Sequence, residues 1–479
     1  MPGSIRSMMH RSSLLLASGV LVLAACSDPA TSPSTLKAPM TLARLQSTGT
    51  PTIPTDQHVF LMNGDAIPDN FAADVAAAGG TIVRVQSEIG VAVVKGLTDA
   101  AADRLALGNG KVERDVMVQW VPTLEGAQAY VASDAAVPVS GQSHFPPEHA
   151  AFLPFQWDMF QIHAPEAWVA HTGIPTVRVA IIDTGLDPDH IDATGLIDVA
   201  SSIAFTPSLS GPPAWADDHF HGTHVGGTVT TNNIGTAGVA PNVTLIAIKV
   251  LNSTGSGSFA DVISGLMWAV TVHANVANLS LGALFPKNGA GTLVAALNKA
   301  LNYANAHGVL VVSAAGNAAP GNPPTDLQHD QNYIEVPCES GTDMCISSTG
   351  PGDQHSSFSN YGVPAINVAA PGGEFGAAFT HFVLSPCSSR TVMPGLAACH
   401  ARNRYLFVIG TSQATPHVSG LAALLDSQFG GTLNPAQLQT KIQQCSDDIG
   451  KAGADPFFGQ GRINAFKTVT GTGCNSSAP

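Results

Sequence analysis

Apolar residues fall along the chain in two rhythms, short continuous or alternating runs and longer stretches with a repeat of three to four. Residues 59–62 read as a strand, and 68–78 as a helix stopped by Gly79-Gly80. Residues 81–85 and 89–94 form a strand pair with Ser87 and Glu88 at the turn. A helix over 99–107 ends at Gly108, and alternation over 112–118 gives a last strand. The order β-α-β-β-α-β predicts a ferredoxin-like α+β domain over 57–120. No titratable cluster within it suggests chemistry.

Residues 121–152, rich in Gly, Ala, Ser and Pro, read as a linker. The register then changes. Val177-Arg178-Val179-Ala180-Ile181-Ile182 is a near-continuous apolar run, as expected of a strand covered on both faces. Further strands are expected at 243–250, 276–281, 309–313 and 366–369, with helices near 259–273 and 292–307. Strands alternating with helices predict an α/β fold, a doubly wound parallel sheet over 153–470 followed by a tail at 471–479. Ligand sites in such sheets lie beyond the strand C-termini.

Charge and composition narrow the class. The 479 residues hold 34 acidic and 20 basic side chains, a net charge of −14, which argues against binding nucleic acid by neutralising phosphates. Hydrophobic residues make up 44%, enough for a large core, while 48 Gly and 33 Pro with only 11% charged residues suggest a turn-rich exported protein. Residues 1–25 combine Arg6 and Arg11 with an apolar run too short to span a bilayer, the pattern of a secretory signal. That segment ends Leu23-Ala24-Ala25-Cys26, which resembles the bacterial lipobox. The resemblance implies a lipidated Cys26, a tether over 26–56 and a bacterial cell-envelope location; the plainer alternative is an ordinary cleavage site and a secreted protein. The other six cysteines all follow residue 330. Six allow 15 pairings. Sequence proximity favours Cys338–Cys345, Cys387–Cys399 and Cys445–Cys474 in an oxidising compartment.

The candidate chemistry sits at strand ends. The first long strand runs into Asp183-Thr184-Gly185. The stretch from Asp217 to Thr228 holds His219, His221 and His224 at the opening of a helix, but lacks the His-Glu-x-x-His pattern of a zinc site. Asn317 follows Ser313-Ala314-Ala315-Gly316. Gly410-Thr411-Ser412-Gln413-Ala414-Thr415-Pro416-His417-Val418-Ser419-Gly420 reads as a glycine entry into a helix with Pro416 in its first turn. A serine there needs a base, a histidine supplies one, and a carboxylate holds that histidine's tautomer. An amide beside the serine can donate to a developing oxyanion.

Asp183-Thr184-Gly185, His221-Gly222-Thr223-His224-Val225 and Gly410-Thr411-Ser412, in that order, resemble the three signatures of the subtilisin-like serine peptidases. The resemblance covers about 155–467. It implies Asp183, His221 and Ser412 as a triad and Asn317 as an oxyanion-hole donor. Gly255-Ser256-Gly257 and Ser280-Leu281-Gly282 match the strands that pair with an extended polypeptide substrate. Ala314-Ala315-Gly316 matches the wall of the S1 pocket, which these small residues suggest is open and mostly apolar.

The same resemblance implies that 57–120 is a propeptide that inhibits the site and is removed by self-processing within the linker. It implies no cofactor for the chemistry, with structural calcium a candidate at Asp192 beside Asn232-Asn233-Ile234-Gly235. A monomer is expected, meeting a membrane only through its lipid. Gln413, Thr415, Gly226 and Phe220 depart from the family's usual residues, and the cysteine-bearing segments 320–350 and 375–405 flank the site. Two other readings stand beside an endopeptidase: a catalytically silent peptide-binding protein on the same scaffold, and an α/β-hydrolase esterase, whose nucleophile elbow needs a glycine where Ala414 stands.

Overall fold

The computed structural model of the chain describes residues 52–121, 129–130, 144–288, 291–318, 322–376 and 379–475. The expected signal segment and Cys26 lie outside the described residues.

The first domain has the expected order. Its strands Ile53–Met62, Thr81–Gln86, Val91–Lys95 and Gly110–Gln119 and its helices Phe71–Ala77 and Asp99–Ala106 alternate as a ferredoxin-like unit. Ile53–Met62 lies between Val91–Lys95 and Gly110–Gln119, antiparallel to both. Alternation sends Phe60, Met62, Ala92 and Val94 to the helices and Val59, Leu61, Val91 and Val93 to the opposite face. That opposite face packs on the larger domain.

In the larger domain, among the described residues, seven strands form one parallel sheet. Their order is Ile366–Pro371, Met344–Thr349, Leu310–Ala314, Val276–Leu279, Arg178–Asp183, Thr244–Lys249 and Ile203–Ala204. Both faces are covered. Val179 and Ile181 enter the core beneath helices His221–Val229 and Thr411–Gln428, while Ala180 and Ile182 face helices Phe259–Thr271 and Gly291–Ala306. The chain winds to one side of Arg178–Asp183 and then to the other, so that strand's C-terminal end lies at the topological switch point.

Two features differ from the sequence expectation. Met344–Thr349 is an interior strand of the sheet although its second half is Ser347-Ser348-Thr349. Hydrogen bonds make the burial of the two serines tolerable: Ser347 Oγ donates to the Phe457 carbonyl at 2.6 Å, and Ser348 and Ser356 hydroxyls meet at 2.7 Å. Pro416 also lies deeper than the first turn, inside the helix Thr411–Gln428. It has no N–H for the Ser412 carbonyl, four residues back. Nearly all of that helix is buried, so packing rather than amphipathic patterning holds it.

The disulfides are Cys338–Cys345, Cys387–Cys399 and Cys445–Cys474, as sequence proximity suggests. Among the described residues, no helix is long and apolar enough to cross a membrane.

Candidate active site

Asp183 ends the central strand and His221 begins a helix; both side chains are fully buried. His221 Nδ1 lies 2.8 Å from Asp183 Oδ1 and 3.0 Å from Oδ2, so it donates to the carboxylate. That bond leaves the lone pair on Nε2, and Nε2 is buried with no hydrogen-bond partner.

A polar frame that sequence reasoning missed holds this pair in place. The Asp217 carboxylate accepts from Thr184 Oγ1 at 2.9 Å, from Thr223 N at 2.9 Å and from Thr223 Oγ1 at 2.6 Å. Thr184 Oγ1 in turn accepts from Gly222 N at 2.9 Å. The strand end and the helix start are therefore tied on either side of the Asp183–His221 bond. Burial pushes the Asp217 carboxyl up to about 6. Beneath it, Lys249 is fully buried, with Nζ 2.7 Å from Asp218 Oδ1, 2.6 Å from the Thr184 carbonyl and 2.8 Å from the Leu251 carbonyl. Only the acidic Asp217-Asp218 doublet hinted at this frame.

The neighbouring histidines form no metal cluster. His219 Nδ1 accepts from the His221 amide, and His224 Nε2 donates to the Leu406 carbonyl at 3.0 Å. Burial lowers the His224 imidazole to about 3, so it stays neutral. Among the described residues no group of three or more His, Cys, Asp or Glu is placed to hold a metal.

Ser412 is the second residue of the helix Thr411–Gln428 and is 4% exposed. Its helix packs against the one carrying His221. Gly410 caps it at φ 153°, ψ 162°, a conformation essentially restricted to glycine. Asn317 Oδ1 accepts from Thr411 N at 2.9 Å and Thr411 Oγ1 at 3.1 Å, which fixes its amide beside the first turn of that helix.

Residues 119–121 lie between the two expected substrate strands. Gly110–Gln119 pairs antiparallel with Ser256–Ser258. Val121 N donates to the Gly255 carbonyl at 3.1 Å, and Gly282 N donates to the Trp120 carbonyl at 3.4 Å. The Trp120 ring packs on Phe259 and Phe285, with Nε1 donating to the Gly257 carbonyl at 3.0 Å. Ser280 Oγ accepts from Asn278, whose Oδ1 accepts from Ser419 Oγ at 2.8 Å, so this strand is linked to the Ser412 helix. Ala314 ends its strand, and Ala315 N bonds to the Ile346 carbonyl.

The small residues expected to wall an apolar S1 pocket have a carboxyl beside them. The Glu335 carboxyl, fully buried, lies beside both Gly282 and Gly316.

Calcium at Asp192 does not fit either. Its carboxylate accepts from the backbone N–H groups of Ile234 at 2.7 Å, Gly235 at 3.0 Å and Thr236 at 3.0 Å. The Tyr405 hydroxyl donates to it at 2.8 Å. A calcium site needs oxygen acceptors turned toward the ion, whereas both Asp192 oxygens here meet donors.

Comparison with known proteins identifies the class. Residues 175–461 match the Subtilase family (Peptidase S8), and the chain belongs to that family. It is 32% identical to an alkaline protease of Alkalihalobacillus alcalophilus over 344 residues, covering 71% of this chain and 74% of that protein. Over 328 residues it is 33% identical to thermitase of Thermoactinomyces vulgaris, covering 68% of this chain and 99% of thermitase. Among solved structures, a lanthipeptide protease is 27% identical with a TM-score of 0.58, covering 68% of this chain and 97% of its own. The epidermin leader peptide processing protease of Staphylococcus aureus shares the fold at 22% identity and a TM-score of 0.64, covering 88% and 99%. The chain is thus a subtilisin-like serine peptidase.

Proposed function

We propose that the chain is an exported endopeptidase that cleaves polypeptides through an acyl-enzyme, with Ser412 as nucleophile. The observation that carries this reading is the buried Asp183–His221 pair, which leaves His221 Nε2 without a partner. In the first step Ser412 Oγ attacks the scissile carbonyl and passes its proton to Nε2. His221 then returns that proton to the leaving amine, and water repeats the sequence on the acyl-enzyme. Asp183 keeps the tautomer and steadies the imidazolium. The Asn317 amide and the Ser412 backbone N–H, the latter at the positive end of its helix, receive the oxyanion. Extended substrate pairs edge-on with Gly255-Ser256-Gly257 and Ser280-Leu281-Gly282.

The first domain acts as an inhibitory propeptide, a role supported by residues 119–121 lying along those same strands. Maturation is a self-cleavage within 121–152. Cys26 carries a lipid that holds the enzyme at a bacterial cell envelope, and no metal takes part in the chemistry. A fluorophosphonate probe tests the nucleophile. The mature enzyme should be labelled on Ser412 and Ser412→Ala should not; an unlabelled wild type would leave only the silent binding protein.

A further inference from the structure

Glu335 lies on the strand Tyr333–Val336, which pairs antiparallel with Ala283–Pro286 just beyond Gly282. Its side chain reaches a gap bounded by two glycines. A Cβ added at Gly282 would lie 2.5 Å from Glu335 Oε1, and one at Gly316 would lie 2.7 Å from both Cδ and Oε1. Gly316 is held at φ +84° and precedes Asn317, whose side chain bonds to Thr411 next to Ser412. The carboxyl therefore sits one short step from the reaction centre, between the strand that takes substrate and the wall of the S1 pocket.

Its partners are few. Oε2 receives one long bond, from Asn360 Nδ2 at 3.4 Å, and Oε1 receives none, although the residue is fully buried. A side chain needed only for bulk would be cheaper as methionine, because an acceptor buried without a donor costs free energy. Burial, reinforced by the negative charge of Glu339, raises the Glu335 carboxyl well above the usual carboxylate range. The pocket thus holds a carboxyl poised to ionise when a cation arrives.

We propose that Glu335 determines specificity at the residue preceding the cut and selects lysine and arginine there. The inference rests on the endopeptidase reading and on Gly282 and Gly316 as the pocket's walls. The two glycines let the carboxyl stand between them, and an incoming ammonium or guanidinium meets Oε1 there.

The chain's own composition means that this preference does not govern the cut in the linker. No Lys or Arg occurs between Arg114 and Arg178, whereas the first domain carries Arg84, Lys95, Arg104, Lys111 and Arg114. The linker is then cut at a disfavoured residue, which intramolecular proximity permits. The released domain, by contrast, is readily destroyed.

The test uses mature enzyme and a set of fluorogenic peptides that differ only at the residue before the cut, Lys, Arg, Phe or Ala. Lys and Arg should exceed Phe and Ala in kcat/KM by roughly tenfold or more. Glu335→Gln should lose that preference, its kcat/KM for Lys and Arg falling toward the values for Phe and Ala. A wild-type ranking led by Phe or Ala, or a Lys preference that survives Glu335→Gln, would overturn the proposal. If the variant does not fold, the wild-type ranking decides alone. Fluorophosphonate labelling of the same preparation separates the two failures: a labelled enzyme that favours Phe or Ala loses only this inference, and an unlabelled one loses both.

Discussion

At the scale of single residues, the groups proposed to do chemistry stood out because few side chains can take their place. Asp183, His221 and Ser412 occupy strand and helix ends, and Asn317 the loop just after the strand Leu310–Ala314, where a sheet of this kind opens its cleft. Removing the Ser412 hydroxyl should lower kcat about 10⁶-fold, and Asn317→Ala about 10²–10³-fold with little change in KM, magnitudes known from subtilisin itself. Steady-state kinetics on the two variants checks the order. Residues that hold the site were not legible. Glu335 in Tyr333-Ile334-Glu335-Val336 alternates like any strand glutamate facing water, and only the fold places it between Gly282 and Gly316. Lys249 closes an apolar strand and reads as its soluble end, yet it is fully buried against Asp218. Lys249→Ala should therefore destabilise the enzyme by about 3–5 kcal/mol, because it leaves a buried carboxylate unpaired. Denaturant unfolding measures this, and a change below about 1 kcal/mol would show that the pair is dispensable.

Among elements, periodicity located the ferredoxin-like unit and most of the parallel sheet, since both depend on apolar spacing. It missed Met344–Thr349, where hydrogen-bonded hydroxyls replace apolar side chains, and it set Pro416 too early in its helix. How the two domains meet was also hidden, because it depends on carboxylates that look like surface charge. Glu113 accepts from Thr292 N at 2.8 Å and Leu293 N at 3.3 Å, at the start of one helix. Asp115 accepts from Ala260 N at 3.1 Å, at the start of another. Each caps a helix of the other domain. Burial pushes Asp115 up to about 6 from its ordinary 3.8, with Asp261 adding to the shift and the Ala260 N–H opposing it. A group whose value rises on docking favours the docked state at low pH and loses that contribution as pH climbs through 6. The inhibition constant of the added first domain should thus rise between pH 4 and 7, by at most roughly a hundredfold. Asp115→Asn should flatten the profile; an unchanged slope would assign the effect elsewhere.

For the whole molecule, the cysteine pattern was the most legible feature, since short separations leave few sensible pairings. The bonds close loops of 7, 12 and 29 residues. Cys387 and Cys399 pack with Phe220, the residue before His221, so this bridge supports the site from outside the sheet. Cys445–Cys474 ties the described end of the chain to the helix Pro435–Gln444. Replacing both of those cysteines by serine should cost about 2–4 kcal/mol while leaving kcat unchanged. A thermal melt beside a kinetic assay tests the pair of statements.

We propose above that Ser412, activated by His221 and Asp183, cleaves peptide bonds, beginning with its own linker. Intact-mass and N-terminal analysis of purified wild-type precursor beside Ser412→Ala tests it most directly. The wild type should shed its first domain by a cut within 121–152 while Ser412→Ala stays full length. A Ser412→Ala precursor that matures at the wild-type rate would contradict the claim.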